Sequence, residues 1–483
     1  MTIGWNFDNT YSKLPEAFIS NTSPTPVKTP ELIILNDSLV KKLGLNFLSM
    51  NKKELSELFS GNSLPKGSKT ISQAYAGHQF GHFTMLGDGR AVLMGEHISR
   101  NNERFDIQFK GSGKTPFSRN GDGRAFLGAM LREYIISEAM HFLNIPTTRS
   151  LSVVQTGENV MRENILPGAI LTRVASSHLR VGTFQYIAAR QNVDELKTLV
   201  DYTLDRHYPN IKKSKNQAID LLKVLMEKQI DLVINWMRVG FIHGVMNTDN
   251  MTISGETIDY GPCAFMDTYD PQTVFSSIDQ FGRYAYFNQP SITKWNLARF
   301  AECLVPLVNE DKDKAIEIVT EEINTFEKIY EIKWLNMMRD KLGLFGEDPK
   351  DQVLILDLLT WMHQNKTDYT NTFCYLMNEK IQNNKVFDNE NFIVWKKRWE
   401  ERLKLNDNTP EKYLELMKSV NPLVIPRNHK VEEALEAANN GNITPMKNLI
   451  KILEKPYTNH NNISQYQFYN SSKGEKYQTF CGT

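Results

Sequence analysis

Residues 243–261, HGVMNTDNMTISGETIDYG, gather oxygen-bearing side chains at a spacing suited to holding a divalent metal against phosphate groups. Asn250 and Asp259 are ligands of the type Mg²⁺ prefers, and Asp249 adds a carboxylate beside them. Upstream lie the cations such a site needs. Lys110 ends the alternating run DIQFK just before Gly111, and Glu133, on the following helical stretch, is positioned to pair with it. Arg173 and Arg180 flank a strand-to-helix passage, where two guanidinium groups can clamp a triphosphate by bidentate hydrogen bonds. Gly87, Asp88, Gly89 and Arg90 form a glycine turn that lets backbone approach a phosphate with a fixed positive charge alongside. Asp122-Gly123 precedes the helical stretch, either as its N-cap or as part of an anion site at its N-terminus. Taken singly, each feature has a plainer reading: an ordinary turn, an exposed Lys, a solvated Glu or a surface ion pair. His78 and His82 have an i,i+4 spacing, but the glycines of YAGHQFGHF argue against a helical metal site.

These residues need a particular frame. FTMLGDGRAVLMGEH predicts two strands around a hairpin tip at Asp88-Gly89, and RFDIQFKGSG a third strand. GRAFLGAMLREYIISEAMHFLNIP predicts a helix whose apolar stripe runs through Leu127, Leu131, Tyr134, Ile135, Ala139 and Phe142, with Glu133 off it. RSLSVVQTGENVMRE, with a turn at Thr-Gly-Glu-Asn, and GAILTRVA predict two more strands. Ser176-Ser177 is the expected cap of a largely helical region. The stripe Ile219, Leu222, Met226, Ile230, Val233 and Met237 predicts a long helix leading into residues 243–261. The expected organisation is an N-terminal extension over 1–70 with short helices over ELIILNDSLVKKLGL and KKELSELF, a sheet-rich unit over 71–175, a mostly helical unit over 176–420, and a C-terminal helical unit with a polar tail over 421–483.

The 483 residues carry 56 Lys+Arg and 56 Asp+Glu, and the zero net charge disfavours nucleic acid as a partner. With no apolar run of membrane-spanning length, no membrane partner is expected, and the chain reads as a cytoplasmic protein. Cys263, Cys303, Cys374 and Cys481 are too scattered for a disulfide framework or a zinc site.

The order of the features carries more than any one of them. Glycine turn, strand Lys, helix Glu, His-loop Asn and strand-turn Asp follow one another as in protein kinases. In kinases the catalytic Asp stands two residues after the His. Here that position is Val245, which can neither accept a proton nor orient a hydroxyl. Together with YAGHQFGHF, GDGRA, KGSGKTPFSRNGDGRA, LREYIISEAM, HGVMNTDNM, IDYGPCAFMD and NPLVIPRNH, the set closely resembles the selenoprotein O family of protein adenylyltransferases across almost the whole chain. The resemblance implies an α+β, kinase-like two-lobe fold that binds ATP reversed and transfers AMP to Ser, Thr or Tyr hydroxyls of proteins. It implies Mg²⁺ or Mn²⁺ as cofactor and nucleotide contacts at Gly87, Gly89, Arg90, Lys110, Asp122, Gly123, Arg173, Arg180 and Asp259. It further implies metal ligands at Asn250 and Asp259, Lys110 paired with Glu133, and Asp249 as proton acceptor. Cys481 matches a C-terminal Cys of bacterial members, with Cys263 as the nearby candidate for redox pairing. A monomer fits this reading; transfer of UMP from UTP, a kinase using Asp249, and a non-catalytic scaffold are the alternatives.

Overall fold

A computed structural model describes residues 3–381, 384–405, 409–460, 462–468 and 477–480. Its β-rich portion is an eight-stranded sheet built from β1 (Ile19–Asn21), β2 (Glu31–Leu35), β3 (Ile71–Gln73), β6 (Ala91–Ile98), β7 (Arg104–Lys110), β8 (Ala125–Phe126), β9 (Arg149–Met161) and β10 (Ile165–Ala175). The path is β1-β3-β6-β7-β10-β9-β2, antiparallel throughout, with β8 paired to β10. A separate two-stranded hairpin, β4 (Ala76–Gln79) and β5 (His82–Met85), lies between β3 and β6 in the chain. The N-terminal segment joins the sheet through β1 and β2. It also supplies α1 (Asp37–Leu43) and α2 (Lys52–Phe59), so the expected helix over Glu31–Leu35 is instead an edge strand.

Alternation along the strands sorts the chemistry from the packing. Ile107 and Phe109 on β7, and Ile170 and Val174 on β10, face the core under α1 and α2. Asp106, Gln108 and Lys110, and Leu171 and Arg173, face the other way, with Arg173 directly across from Gln108. On that second face lie α3 (Leu127–Phe142) and then the helical portion: α4 (Val181–Ala189), α5 (Val193–His207), α6 (Gln217–Val239), α7 (Gln289–Val308) and later helices. The α6 helix forms as its stripe predicts, and Gly240, with φ 74°, closes it in the left-handed conformation that glycine adopts without strain.

Three local expectations are corrected. Asp88-Gly89 is not a hairpin tip: β5 pairs with β4 around Phe80-Gly81, where both residues have positive φ, and β6 pairs with β3 and β7. Asp122 does not cap α3, because β8 takes Ala125–Phe126 into the sheet and the helix starts at Leu127. Ser176-Ser177 does not cap α4. Its N-cap position is Arg180, while Ser176 binds Glu256 and Ser177 binds His207.

Candidate active site

Lys110, at the end of β7, is buried and donates to Glu133 Oε2 at 2.6 Å and to Asp259 Oδ1 at 2.7 Å. Glu133 is buried as well, although it lies off the α3 stripe. Arg173, from β10, donates to Asp259 Oδ1 at 2.6 Å and to Gln108 Oε1 at 2.6 Å, and approaches Glu133 Oε1 at 3.4 Å. Arg180 reaches the Asp249 carbonyl at 3.2 Å and Asp259 Oδ2 at 3.4 Å, and lies over the Tyr75 ring at 4.4 Å. Three cations thus converge on one carboxylate. Burial would raise the Asp259 pKa, but Lys110, Arg173 and Arg180 hold it well below the usual value. Asp259 has φ 63°, a left-handed conformation that Asp tolerates better than most residues.

His243 is buried and its Nε2 bonds to the Ile258 carbonyl at 2.9 Å, fixing the backbone just before Asp259. Burial lowers its pKa, which keeps the ring neutral. Val245 is buried, and its carbonyl accepts from Asn250 Nδ2 at 3.0 Å, leaving the amide oxygen of Asn250 for another partner. Asp249 is buried and its Oδ1 has no hydrogen-bond partner among the described residues. Burial raises the Asp249 pKa from 3.8 to about 6, against the pull of Arg180.

The β4–β5 hairpin holds Asp249 in place. His78 N–H donates to Thr248 Oγ1 at 2.7 Å, Phe80 N–H donates to Asn247 Oδ1 at 3.0 Å, and Thr248 Oγ1 donates to Gln185 Oε1 at 2.6 Å. Gly77 faces the carboxylate so closely that a Cβ there would stand 2.2 Å from Asp249 Oδ1. His78 serves this scaffold through Gln185 Nε2 at 2.8 Å. Among the described residues no three His, Cys, Asp or Glu side chains form a metal cluster.

The glycine link is strapped by the chain itself. A Cβ on Gly87 would sit 2.4 Å from the Phe117 ring, one on Gly89 2.9 Å from the Phe117 carbonyl, and Thr115 Oγ1 donates to the Asp88 carbonyl at 2.6 Å. Arg90 follows directly and is half-buried; its carbonyl accepts from Gly111 N–H at 2.7 Å, beside Lys110. Asp88 is buried, accepts from Gln73 N–H at 3.0 Å and Gln108 Nε2 at 3.2 Å, and lies 3.8 Å from Arg180. Burial pushes its pKa up to about 6, with Arg180 opposing. Asp122 lies apart from the ionic cluster: it pairs with Arg162 at 2.8 Å and accepts from Arg124 N–H at 2.9 Å. Gly123, with φ 68°, packs on Gly113, where a Cβ would fall 2.1 Å from the carbonyl. Cys263 is buried with its thiol pushed up to about 12 by burial, and Cys481 lies outside the described residues.

Sequence reasoning missed Tyr75, Gly77, Gln108, Gln185 and Thr248. None has a reactive group at a telling spacing, and only folding brings them to the site.

A buried cluster of Lys, Glu and Arg around the Asp259 carboxylate, joined through Arg180 to Asp249 with its oxygen that has no partner among the described residues, is suited to a polyanion and a metal. The comparisons with known proteins agree. The family model described as "Protein adenylyltransferase SelO" matches residues 2–454. The chain belongs to the SelO family. SelO membership makes it an enzyme of the nucleotidyltransferase class. It is 66% identical over 483 residues to the "Protein nucleotidyltransferase YdiU" of Pelagibacter ubique, covering 100% of both chains. Proteins of the same name from Nitrosococcus oceani and Halalkalibacterium halodurans are each 55% identical, over 100% of this chain and 98% of theirs. Among the described residues no helix is long and apolar enough to cross a membrane.

Proposed function

We propose that this SelO member is a protein adenylyltransferase: it moves AMP from ATP to a Ser, Thr or Tyr hydroxyl of a protein and releases pyrophosphate. The reading includes a kinase-like arrangement of two lobes, the sheet with α3 forming one and the helices from α4 onward the other. The observation that carries it is the exchange of carboxylates along residues 243–250. Val245, where a kinase has its base, is a buried apolar side chain whose carbonyl is spent on Asn250. Asp249 instead offers a buried oxygen with no partner among the described residues. A site without the kinase Asp need not transfer a γ-phosphate, and one with Asp249 still has a base.

Lys110, Arg173 and Arg180 are the cations for the triphosphate, and the Nε atoms of both arginines are buried donors without partners among the described residues. Glu133 holds Lys110 in position. Gly87, Gly89, Arg90, Asp122 and Gly123 belong to the nucleotide side of the same reading. A divalent metal, Mg²⁺ or Mn²⁺, fits the donor set: the Asn250 amide oxygen, which has no partner among the described residues, and Asp259 Oδ2, whose one bond there, to Arg180, is long at 3.4 Å. Such ions use one or two protein oxygens and complete their shell with phosphate and water. Bound there, the metal would supply charge neutralisation for the departing pyrophosphate. Asp249 would take the proton of the acceptor hydroxyl, while the buried cations stabilise charge developing on the phosphate oxygens.

The test uses ATP labelled in parallel at the α- and γ-phosphates, and α-labelled UTP, with Mg²⁺ or Mn²⁺, on wild type and Asp259→Ala. Label entering protein from α-ATP alone and lost in the variant is expected. Label from γ-ATP would make the protein a kinase, preference for UTP would make it a uridylyltransferase, and no label would leave a scaffold.

A further inference from the structure

The hairpin that cradles Asp249 has one edge tied down and one edge open. Leu86 N–H donates to the Tyr75 carbonyl at 2.9 Å, which makes that facing pair hydrogen-bonded. Antiparallel pairs alternate, so Gly77↔Thr84 and Gln79↔His82 are also hydrogen-bonded, and Ala76↔Met85 and His78↔Phe83 are not. The main-chain groups of residues in the second kind of pair point out of the hairpin. On β4 they are engaged: His78 N–H goes to Thr248, and the Ala76 carbonyl packs against Gly182, where a Cβ would stand 2.1 Å away. On β5 the outward N–H and C=O of Phe83 and Met85 have no partner among the described residues. Their side chains are 46% and 47% exposed. An unblunted edge of this kind is a template for an added strand.

We propose that this β5 edge docks the acceptor protein, which pairs with it antiparallel as a third, extended strand and presents a Tyr to Asp249. The proposal rests on the nucleotidyl-transfer reading above. Gly77 and Thr84 share the face that looks onto Asp249, since a Cβ on Gly77 would meet its carboxylate. An acceptor residue opposite Thr84 continues that row. It lies two strand spacings, about 10 Å, from Gly77. Ser and Thr side chains fall far short of that gap, and Tyr, the longest of the three hydroxyl side chains, comes nearest to closing it. Charge complementarity adds a second requirement. Arg283 lies at the hairpin turn, with Nη2 3.8 Å from a Cβ built on Gly81. It stacks on Trp295 at 4.9 Å, and its Nε is a buried donor without a hydrogen-bond partner among the described residues. An acidic side chain roughly three residues from the Tyr, toward the turn end, would meet it.

The experiment uses short strand-forming peptides of alternating Val with one central Tyr and a Glu three residues away, α-labelled ATP, and the full chain. Wild type should label this peptide, and should label its Ser counterpart at least tenfold less. N-methylation of the two residues flanking the Tyr removes the amides that face Phe83 and Met85, and should lower kcat/KM about tenfold, mainly through KM. N-methylation of the Tyr itself, whose amide points away, should leave it unchanged. Phe83→Pro and Met85→Pro delete the outward donors at positions where an edge strand tolerates proline, and should reproduce the loss with nucleotide affinity and melting temperature kept. Equal labelling of methylated and unmethylated peptides would overturn the docking mode, as would a dimer of this chain that the proline variants abolish without any change in labelling. Labelling of lysate proteins but of no extended peptide would overturn docking alone. Absence of transfer to every acceptor would overturn this proposal together with the adenylyltransferase reading.

Discussion

Replacing Asp249 by Asn tests the proposed base directly, and the structure sets both the size and the pH of the effect. Burial raises the pKa of this carboxyl from 3.8 to about 6, with Arg180 pulling the other way. A base works in its ionised form, so kcat should rise with pH through about 6 and level off above 7. At pH 5 a carboxyl of pKa about 6 is roughly one-tenth ionised, whereas one left at 3.8 would be more than nine-tenths ionised. Wild type should therefore lose about tenfold in kcat between pH 7 and pH 5, and Asp249→Asn should lose about 10²–10⁴-fold at pH 7 together with the pH limb. Asp88 is also pushed up to about 6. Asp88→Asn is the control, and it should keep the limb. The assay is the initial rate of α-phosphate label entering protein at saturating nucleotide, in buffers of constant ionic strength, with nucleotide affinity measured separately. A flat wild-type profile between pH 5 and 7, an Asn variant within tenfold of wild type, or a limb that disappears with Asp88 would refute the assignment.

Three further outcomes follow from the same geometry. Gly77→Ala places a methyl 2.2 Å from Asp249 Oδ1 and must displace the carboxylate. A displacement near 1 Å costs on the order of 100-fold in rate, so kcat should fall by that factor while calorimetric nucleotide affinity stays at the wild-type value. Lys110→Met strands Glu133 beside Asp259 with only Arg173 between them. Breaking a buried pair in this way costs about 3–5 kcal/mol, so denaturant unfolding should show the loss and α-label transfer should drop at least 100-fold. Asp88→Asn concerns stability. Because the fold raises this pKa, the group's contribution is complete below about pH 4 and is lost as pH rises through about 6. The neutral isostere should therefore stabilise the protein at pH 8 by about 1–3 kcal/mol and change little at pH 4, as read from unfolding midpoints at the two pH values.

How far the sequence disclosed this site depends on which distances set each feature. The α6 helix was legible because its stripe is local and its end is marked by Gly240, and the His243–Asn250–Asp259 spacing was legible because one loop carries it. Elements fixed by distant partners were not. Gly87-Asp88-Gly89 has the local signature of a hairpin tip, but β6 takes its partners from β3 and β7, and the turn signal is outvoted by the sheet. The start of α3 moved because Ala125–Phe126 pair with β10, whose register a local helical pattern does not contain. Glu133 reads as solvated because a stripe argument assumes one face in water. In the fold α3 has the sheet on one side and the helices Asn428–Asn439 and Thr444–Leu453 on another, so a Glu off the stripe is still buried and needs Lys110.

The residues proposed to do chemistry can be named from sequence because their types are restricted: a phosphate needs cations, and a metal needs oxygens. The residues that hold them are restricted only by space. Gly77 shows the difference most sharply. Its φ is not one that requires glycine, its neighbours give no turn signal there, and nothing in YAGHQFGHF distinguishes it from Gly81. It must lack a side chain because a carboxylate 172 positions later in the chain occupies the volume. That requirement exists only once the hairpin has docked on residues 247–249, through His78 and Phe80. The same docking leaves β5 as the outer strand. The constraint on Gly77 and the edge at Phe83 and Met85, open among the described residues, are therefore two consequences of one packing event, which places Asp249 and presents a strand edge beside it.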